Sequence, residues 1–116
     1  MGELKDLQDK VAKFRDARQW REFHTPKNLA MAICSEAGEL ADLLLWNRHA
    51  DHFRMAQEMA DILIYLLSMS EVCGIDLEEA VEQKLKINGA KYPISQFKGS
   101  DKKSTSAAQR EAGGTP

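Results

Sequence analysis

The sequence predicts an all-α protein, a four-helix bundle. Three observations predict it. Apolar residues recur at three- and four-residue spacing along most of the chain. The strict alternation of a half-buried strand is almost absent. Gly and Pro are sparse, 7 and 3 in 116 residues, and they sit where helices should end.

Leu4, Leu7, Val11 and Phe14 form the first apolar stripe, with charges between them, so a helix is expected over roughly 3–19. Residues 20–24 read as a linker. Thr25 before Pro26 pairs an N-cap residue with a proline at the first helical position, which starts a second helix running to about Trp46. A polar loop over 47–51 leads to a third helix ending at Cys73, with Gly74 placed for a left-handed cap. Asp76 and Glu79 have capping-box spacing, so the fourth helix starts near Leu77. Gly89 is its expected stop, and Pro93 argues against an immediate restart. From Gly99 onward large apolar residues vanish. The expected organisation is therefore one domain over 1–98 and a disordered tail over 99–116.

Helices two and three are apolar nearly all the way round. The second carries Leu29, Met31, Ile33, Leu40, Leu43, Leu44, Leu45 and Trp46, and the third Ile62, Leu63, Ile64, Leu66, Leu67 and Met69. Such helices need cover on every face, and one short chain has little to offer two of them. Self-association into a symmetric homo-oligomer is expected.

Composition excludes several function classes. With 16 basic residues against 18 acidic, the net charge of -2 is no footprint of a polybasic nucleic-acid binder. The apolar stretches are interrupted by acids and fall short of a membrane span. Met1 to Lys13 alternates charges without an apolar run, so no secretory leader is expected. Cys34 and Cys73 lie in apolar stretches and read as buried free thiols in a reducing compartment. The expectation is a cytoplasmic protein with neither nucleic-acid nor membrane partners.

The informative residues are acidic. Glu36 and Glu39 are three apart on helix two, and Glu58 and Asp61 three apart on helix three. That spacing puts each pair on one helical face, a turn apart. Antiparallel packing of the two helices would bring the four carboxylates together, with Asp42 extending the first row. A solvated acidic face normally has cations three or four residues away. Here Ala32, Leu40, Leu43, Ile62 and Tyr65 occupy such places, and Arg54 alone could pair with Glu58. Asp6 with Lys10, and Glu82 with Lys86, look by contrast like ordinary surface pairs.

Gathered carboxylates in an apolar setting repel and resist ionisation, and a divalent cation removes both problems. An all-oxygen set favours Mg²⁺, with Mn²⁺ as a substitute, over Zn²⁺. Histidine is missing from both spacings, which disfavours a di-iron carboxylate site or a zinc hydrolase. Mg²⁺ on carboxylates points to phosphate chemistry.

These residues carry a resemblance. Glu36-Ala-Gly-Glu39 followed by Glu58-Met-Ala-Asp61 resembles the paired acidic motif of the MazG-like all-α nucleoside triphosphate pyrophosphohydrolases. The segments Trp20 to Asn28, Gly38 to Leu43, Trp46, Asp61 to Tyr65, and Lys84-x-x-x-Asn88-x-x-Lys91-Tyr92-Pro93 are similar to the dCTP pyrophosphatase branch. The resemblance covers nearly everything from Leu4 to Pro93. Gly89 and Lys91 stand where close relatives often carry arginines.

The resemblance implies hydrolysis of a nucleoside triphosphate, dCTP first, to the monophosphate and pyrophosphate, in the service of nucleotide-pool cleansing. It implies a tetramer, a dimer of dimers with sites assembled between subunits. Glu36, Glu39, Glu58 and Asp61 would be the catalytic Mg²⁺ ligands. Lys84 and Asn88 would meet the phosphates and the sugar region, with Lys91 and Tyr92 in the same matched segment. Trp20, His24 and Trp46 would line the base pocket, and Tyr65, four residues after Asp61, would lie beside the acids. The base that activates water is left open among the four acids and Asp42. Rival readings are a broader dNTP pyrophosphatase taking dATP, dUTP or modified nucleotides, and a non-enzymatic helical interaction module. A His-Asp metal site at Asp51-His52 would need further histidines, and only His24 and His49 remain.

Overall fold

The computed structural model describes residues 2–46 and 51–99. Of the expected tail over 99–116 all but Gly99, and of the expected loop over 47–51 all but Asp51, lie outside the described residues. Among those described there are helices and no strand: α1 Glu3–Ala17, α2 Pro26–Leu45, α3 His52–Cys73, α4 Leu77–Lys91 and the single-turn α5 Ile94–Phe97, with a 3₁₀ turn at Arg21–Phe23. The chain falls into two compact units, one ending at Leu77 and the other beginning at Glu78. No helix among the described residues is long and apolar enough to cross a membrane.

Side-chain caps decide where α2 and α3 begin. Thr25 Oγ1 accepts the Asn28 N–H at 3.2 Å, and Pro26 follows in the first turn, where its missing N–H costs nothing. Asp51 Oδ1 accepts the Phe53 N–H at 3.0 Å and opens α3. That gives Asp51 a capping role rather than a metal-binding one.

Helices α1 and α3 end in the same way. In α3, Gly74 takes φ +69°, and the Ile75 N–H reaches back to the Ser70 carbonyl at 2.8 Å. In α1 the left-handed residue is Gln19, φ +56°, and the Trp20 N–H reaches the Arg15 carbonyl at 3.1 Å. A glycine announces such a stop in the sequence and a glutamine does not, so α1 ends two residues before the expected Gln19.

Two further expectations are corrected at the other end of the chain. Gly89 does not stop α4, which runs on to Lys91. A glycine ends a helix by adopting a positive φ, and Gly89 does not adopt one. Pro93 does not prevent a restart. It is the N-cap of α5, where no N–H is needed, and its carbonyl accepts from Gln96 and Phe97 at 3.0 Å each.

In the first unit, α3 packs against both α1 and α2. The α1 face turned inward is only half of the predicted Leu4–Leu7–Val11–Phe14 stripe. Leu4 and Val11 are half-buried, but Leu7 and Phe14 are exposed, and the half-buried Gln8 and the buried Arg15 complete the inward face. The reason lies on α3, whose facing end is polar: Gln8 Nε2 donates to Ser70 Oγ at 2.8 Å, and Arg15 meets Glu71. The expected pairs Asp6–Lys10 and Glu82–Lys86 are absent among the described residues. On α1, Lys5 instead lies 3.7 Å from Asp9.

Little of the apolar surface is covered within one chain. Leu29 and Leu67 are the large apolar side chains reduced to 2% exposure. Met31, Leu44, Leu45, Trp46, Phe53, Met59 and Ile64 stay exposed on α2 and α3. Cys34 and Cys73 are free but exposed, against the expected burial. The stretches holding them are apolar around the whole helix, and the chain covers only part of that circumference.

Candidate active site

Helices α2 and α3 run antiparallel. Glu36, midway along α2, meets Glu58 of α3, while Arg21, just ahead of α2, meets Glu71 near the end of α3. This orientation is what converts two separate acidic spacings into one cluster. Glu36, Glu58 and Asp61 each offer one carboxylate oxygen, and these oxygens lie within 4.8 Å of one another. Glu36 and Glu58 are half-buried, and Asp61 opens to solvent.

Electrostatics single out Glu36. A side-chain hydrogen bond with Glu58, then burial, then the charges of Glu39, Asp61 and Glu58 push its carboxyl from the ordinary 4.5 up to about 7. Its Oε2 atom is buried and has no hydrogen-bond partner. An orphaned carboxylate oxygen in a group of three oxygen donors, with no histidine or thiolate in the set, fits a hard divalent cation. A buried oxygen of this kind is otherwise costly to leave unpaired.

Glu39 is not in the group of three. It lies one turn further along α2, is exposed, and acts on Glu36 through its charge. Asp42 is exposed a further turn on, and its carbonyl accepts the Trp46 N–H at 3.3 Å. Tyr65 is half-buried one turn after Asp61 on α3. Arg54, the one cation the sequence offered Glu58, forms no ion pair with it among the described residues.

The aromatic residues divide between the two ends of α2. Trp20 and His24 flank the Arg21–Phe23 turn, with ring centroids 6.3 Å apart, and Phe14 meets Trp20 edge-on at 6.0 Å. The Nδ1 atom of His24 is buried without a partner. Burial and then the charge of Arg15 hold the His24 imidazole below its usual range, which favours the neutral ring. Trp46 closes the far end of α2 and is 82% exposed.

Within the second unit, Lys84 and Asn88 share one face of α4, with Lys84 exposed and Asn88 half-buried. The Tyr92 ring meets Phe97 edge-on at 5.1 Å, and Lys91 Nζ lies 5.9 Å from the Tyr92 centroid.

One constellation escaped the sequence reading. The buried Arg15 guanidinium donates through Nη1 to Glu71 Oε1 at 2.6 Å and through Nε to Asp16 Oδ1 at 2.9 Å. Arg21 Nη1 reaches both Glu71 oxygens, at 3.4 and 3.5 Å. The test that isolated Glu36 and Glu58 would have found it. Glu71 has Leu67, Ser68, Gly74 and Ile75 at the helical neighbour positions and no cation among them, and Arg15 has no acid at its own.

The chain matches the MazG-like family over residues 28–106. It belongs to that family. Among relatives of this MazG-like chain, dCTP pyrophosphatase 1 of Rattus norvegicus is 35% identical over 107 residues, covering 84% of this chain and 63% of that protein. The Homo sapiens protein of the same name is 34% identical over 112 residues, covering 88% and 66%. The chain thus spans just under two thirds of these mammalian relatives. A crystal structure of a pyrophosphatase from Archaeoglobus fulgidus superposes with a TM-score of 0.70 at 38% identity, covering 80% of this chain and 94% of that one.

Proposed function

We propose that this MazG-like chain is a Mg²⁺-dependent nucleoside triphosphate pyrophosphohydrolase, with dCTP its first substrate, working as a domain over residues 1–98. The observation that carries this is the convergence of Glu36, Glu58 and Asp61 around a buried carboxylate oxygen that lacks a donor. The dCTP pyrophosphatase relatives and the archaeal pyrophosphatase support the reaction class.

Glu36, Glu58 and Asp61 are the proposed metal ligands, and Glu39 is a fourth whose exposed side chain has the rotamer freedom to join them. Mg²⁺, or Mn²⁺ in its place, would offset triphosphate charge there and act as a Lewis acid toward phosphate oxygens. In the reaction, a water oxygen bonds to the α-phosphorus and the bond from that phosphorus to the α,β-bridging oxygen breaks. Pyrophosphate leaves with that oxygen. The water's proton passes to a carboxylate, one of the four or Asp42. Lys84 and Lys91 are assigned to phosphate charge and Asn88 and Tyr92 to the sugar region. Tyr65 flanks the acids. Trp20, His24 and Trp46 are assigned to the base, which aromatic faces hold with modest discrimination.

A homo-oligomer, a dimer of dimers, belongs to this reading. Trp20 and His24 precede α2 and Trp46 follows it. A helix of 20 residues is about 30 Å long, so one protomer cannot bring both ends to one base. A second copy can, and it would cover the apolar faces that one chain leaves open. The free thiols of Cys34 and Cys73 are in keeping with a cytoplasmic location.

The test is to incubate the purified protein with Mg²⁺ and a panel of nucleoside triphosphates, resolving pyrophosphate from orthophosphate. Pyrophosphate with monophosphate, lost under chelation, is the expected result, and the fastest substrate fixes the base. A folded, Mg²⁺-supplied protein that turns over none of them would leave the helical interaction module as the better reading.

A further inference from the structure

We infer that Glu71 is a positioning residue for nucleobase recognition, its one carboxylate clamping the segment that carries Trp20 and His24. The inference rests on the base-binding role proposed above for those two rings. Glu71 itself touches neither of them. It acts through Arg15 and Arg21, which lie on either side of Trp20 in the chain.

The segment has few holds of its own. Between the end of α1 and the Thr25 cap it has a single 3₁₀ turn, and Trp20, Arg21, Glu22 and Phe23 are all exposed. It also contains strain, because Gln19 is held at φ +56°, a conformation that glutamine seldom adopts. Such a residue stays there only if its surroundings fix it. Backbone hydrogen bonds at the end of α1 fix it: the Asp16 carbonyl accepts the Gln19 N–H at 3.0 Å, and the Arg15 carbonyl accepts the Arg18 and Trp20 N–H groups at 3.1 Å, so the position of Arg15 sets where the Trp20 backbone starts. The Arg15 side chain is 2% exposed and points into α3, where the Glu71 carboxylate takes it at 2.6 Å. The same carboxylate takes Arg21 from the solvent side at 3.4 Å. Farther along, the Asn28 amide donates to the Phe23 carbonyl at 3.0 Å and ties the end of the segment to α2.

The short charge-assisted bond from Arg15, with the longer contact from Arg21, ties both arginines to one carboxylate on α3. Arg15 has a second effect, since its charge adds to partial burial in favouring the neutral imidazole of the half-buried His24. A neutral ring offers a base one donor and one acceptor, whereas an imidazolium offers only donors. Loss of Glu71 would free both arginines, release Trp20, and leave Arg15 buried with Asp16 as its remaining acidic partner.

The experiment uses Glu71→Gln, which keeps the size of the side chain and removes its charge. Two readouts are taken. The first is the ratio of kcat/KM between a pyrimidine and a purine nucleoside triphosphate. A uniform loss of folded enzyme cannot move this ratio. The expected result is a roughly tenfold rise in KM for the preferred nucleotide, kcat within about twofold, and a ratio drawn toward unity. The second is the emission of Trp20 in a Trp46→Phe background, where it is the single tryptophan. Its emission should shift to the red and become more open to acrylamide. Unchanged emission in a folded Glu71→Gln protein, or changed emission with KM and the ratio intact, overturns the positioning role. If Glu71→Gln does not fold, Arg21→Gln removes one arm and spares the buried pair. It should shift Trp20 in the same direction, and unchanged emission there overturns the clamp. Absence of turnover in the wild type counts against the proposed reaction instead, and the clamp then stands or falls on the Trp20 emission.

Discussion

Glu36 on α2 and Glu58 on α3 bring carboxylate oxygens within 4.8 Å of each other across the helix seam, where two negative charges repel unless a proton or a cation lies between them. The relationship ties together the packing, the charge and the chemistry of the site. Antiparallel packing brings the two acids together, and their proximity makes a proton or a metal ion necessary at neutral pH.

The first consequence is a pH dependence with a definite sign. A carboxyl raised from 4.5 to about 7 binds protons more tightly folded than unfolded. Its contribution to stability is full below 4.5 and is lost as pH rises through about 7. The Tm of the metal-free protein should therefore fall across that interval, and Mg²⁺ should restore it above the interval. Glu71 and Asp16 act in the other direction. The hydrogen bond and charge of Arg15 hold both below their usual range, so their contributions are lost only at more acidic pH. Thermal melts in chelator and in Mg²⁺ across this range check both signs, and a Tm in chelator that is flat between pH 4.5 and 7 would contradict the Glu36 assignment.

Substitution within the cluster should separate stability from activity. Glu36→Gln removes a crowded negative charge, so the metal-free protein above neutral pH should gain Tm. Turnover should fall by more than the roughly 10–100-fold that losing an outer partner of a metal ligand costs. Melts and product assays on the same preparation check the pair of outcomes.

Two glycines should respond with opposite signs. Gly74→Ala places a side chain at φ +69°, with nothing within 4 Å of the new Cβ. The cost is conformational alone, about 1–2 kcal/mol. Gly89→Ala also meets nothing within 4 Å, but α4 is helical there, and the gain is about 0.5–1 kcal/mol. Urea unfolding of both variants tests this.

Self-association should depend on the uncovered faces of α2 and α3. Ile64 is exposed on a single chain yet apolar, and Ile64→Glu should shift the protein toward smaller species in sedimentation velocity. An unchanged distribution would remove Ile64 from the interface.

The sequence announced the start of α2 because Thr25-Pro26 is a local signal, read by its own backbone neighbours. It announced Gly74 for the same reason. It could not announce Gln19, since its left-handed geometry is imposed by the fold. Three of the four predicted acids converge, because their spacing and the lack of local cations are properties of single helices. The Glu71 clamp joins residues fifty or more positions apart. It left only a faint trace, an acid and a base each without an opposite charge three or four residues away. The α1 stripe was right for Leu4 and Val11 and wrong for Leu7 and Phe14, because the facing end of α3 is polar and takes Gln8 and Arg15 instead, and that becomes visible only once the two helices are packed.

The most direct test is hydrolysis of dCTP with Mg²⁺ in ¹⁸O-labelled water, by the wild type and by Glu36→Gln side by side. The expected result is unlabelled pyrophosphate with label in the monophosphate from the wild type, and almost no product from the variant. Orthophosphate as the product, label in the pyrophosphate, or wild-type turnover by Glu36→Gln would contradict pyrophosphohydrolysis at this acidic cluster.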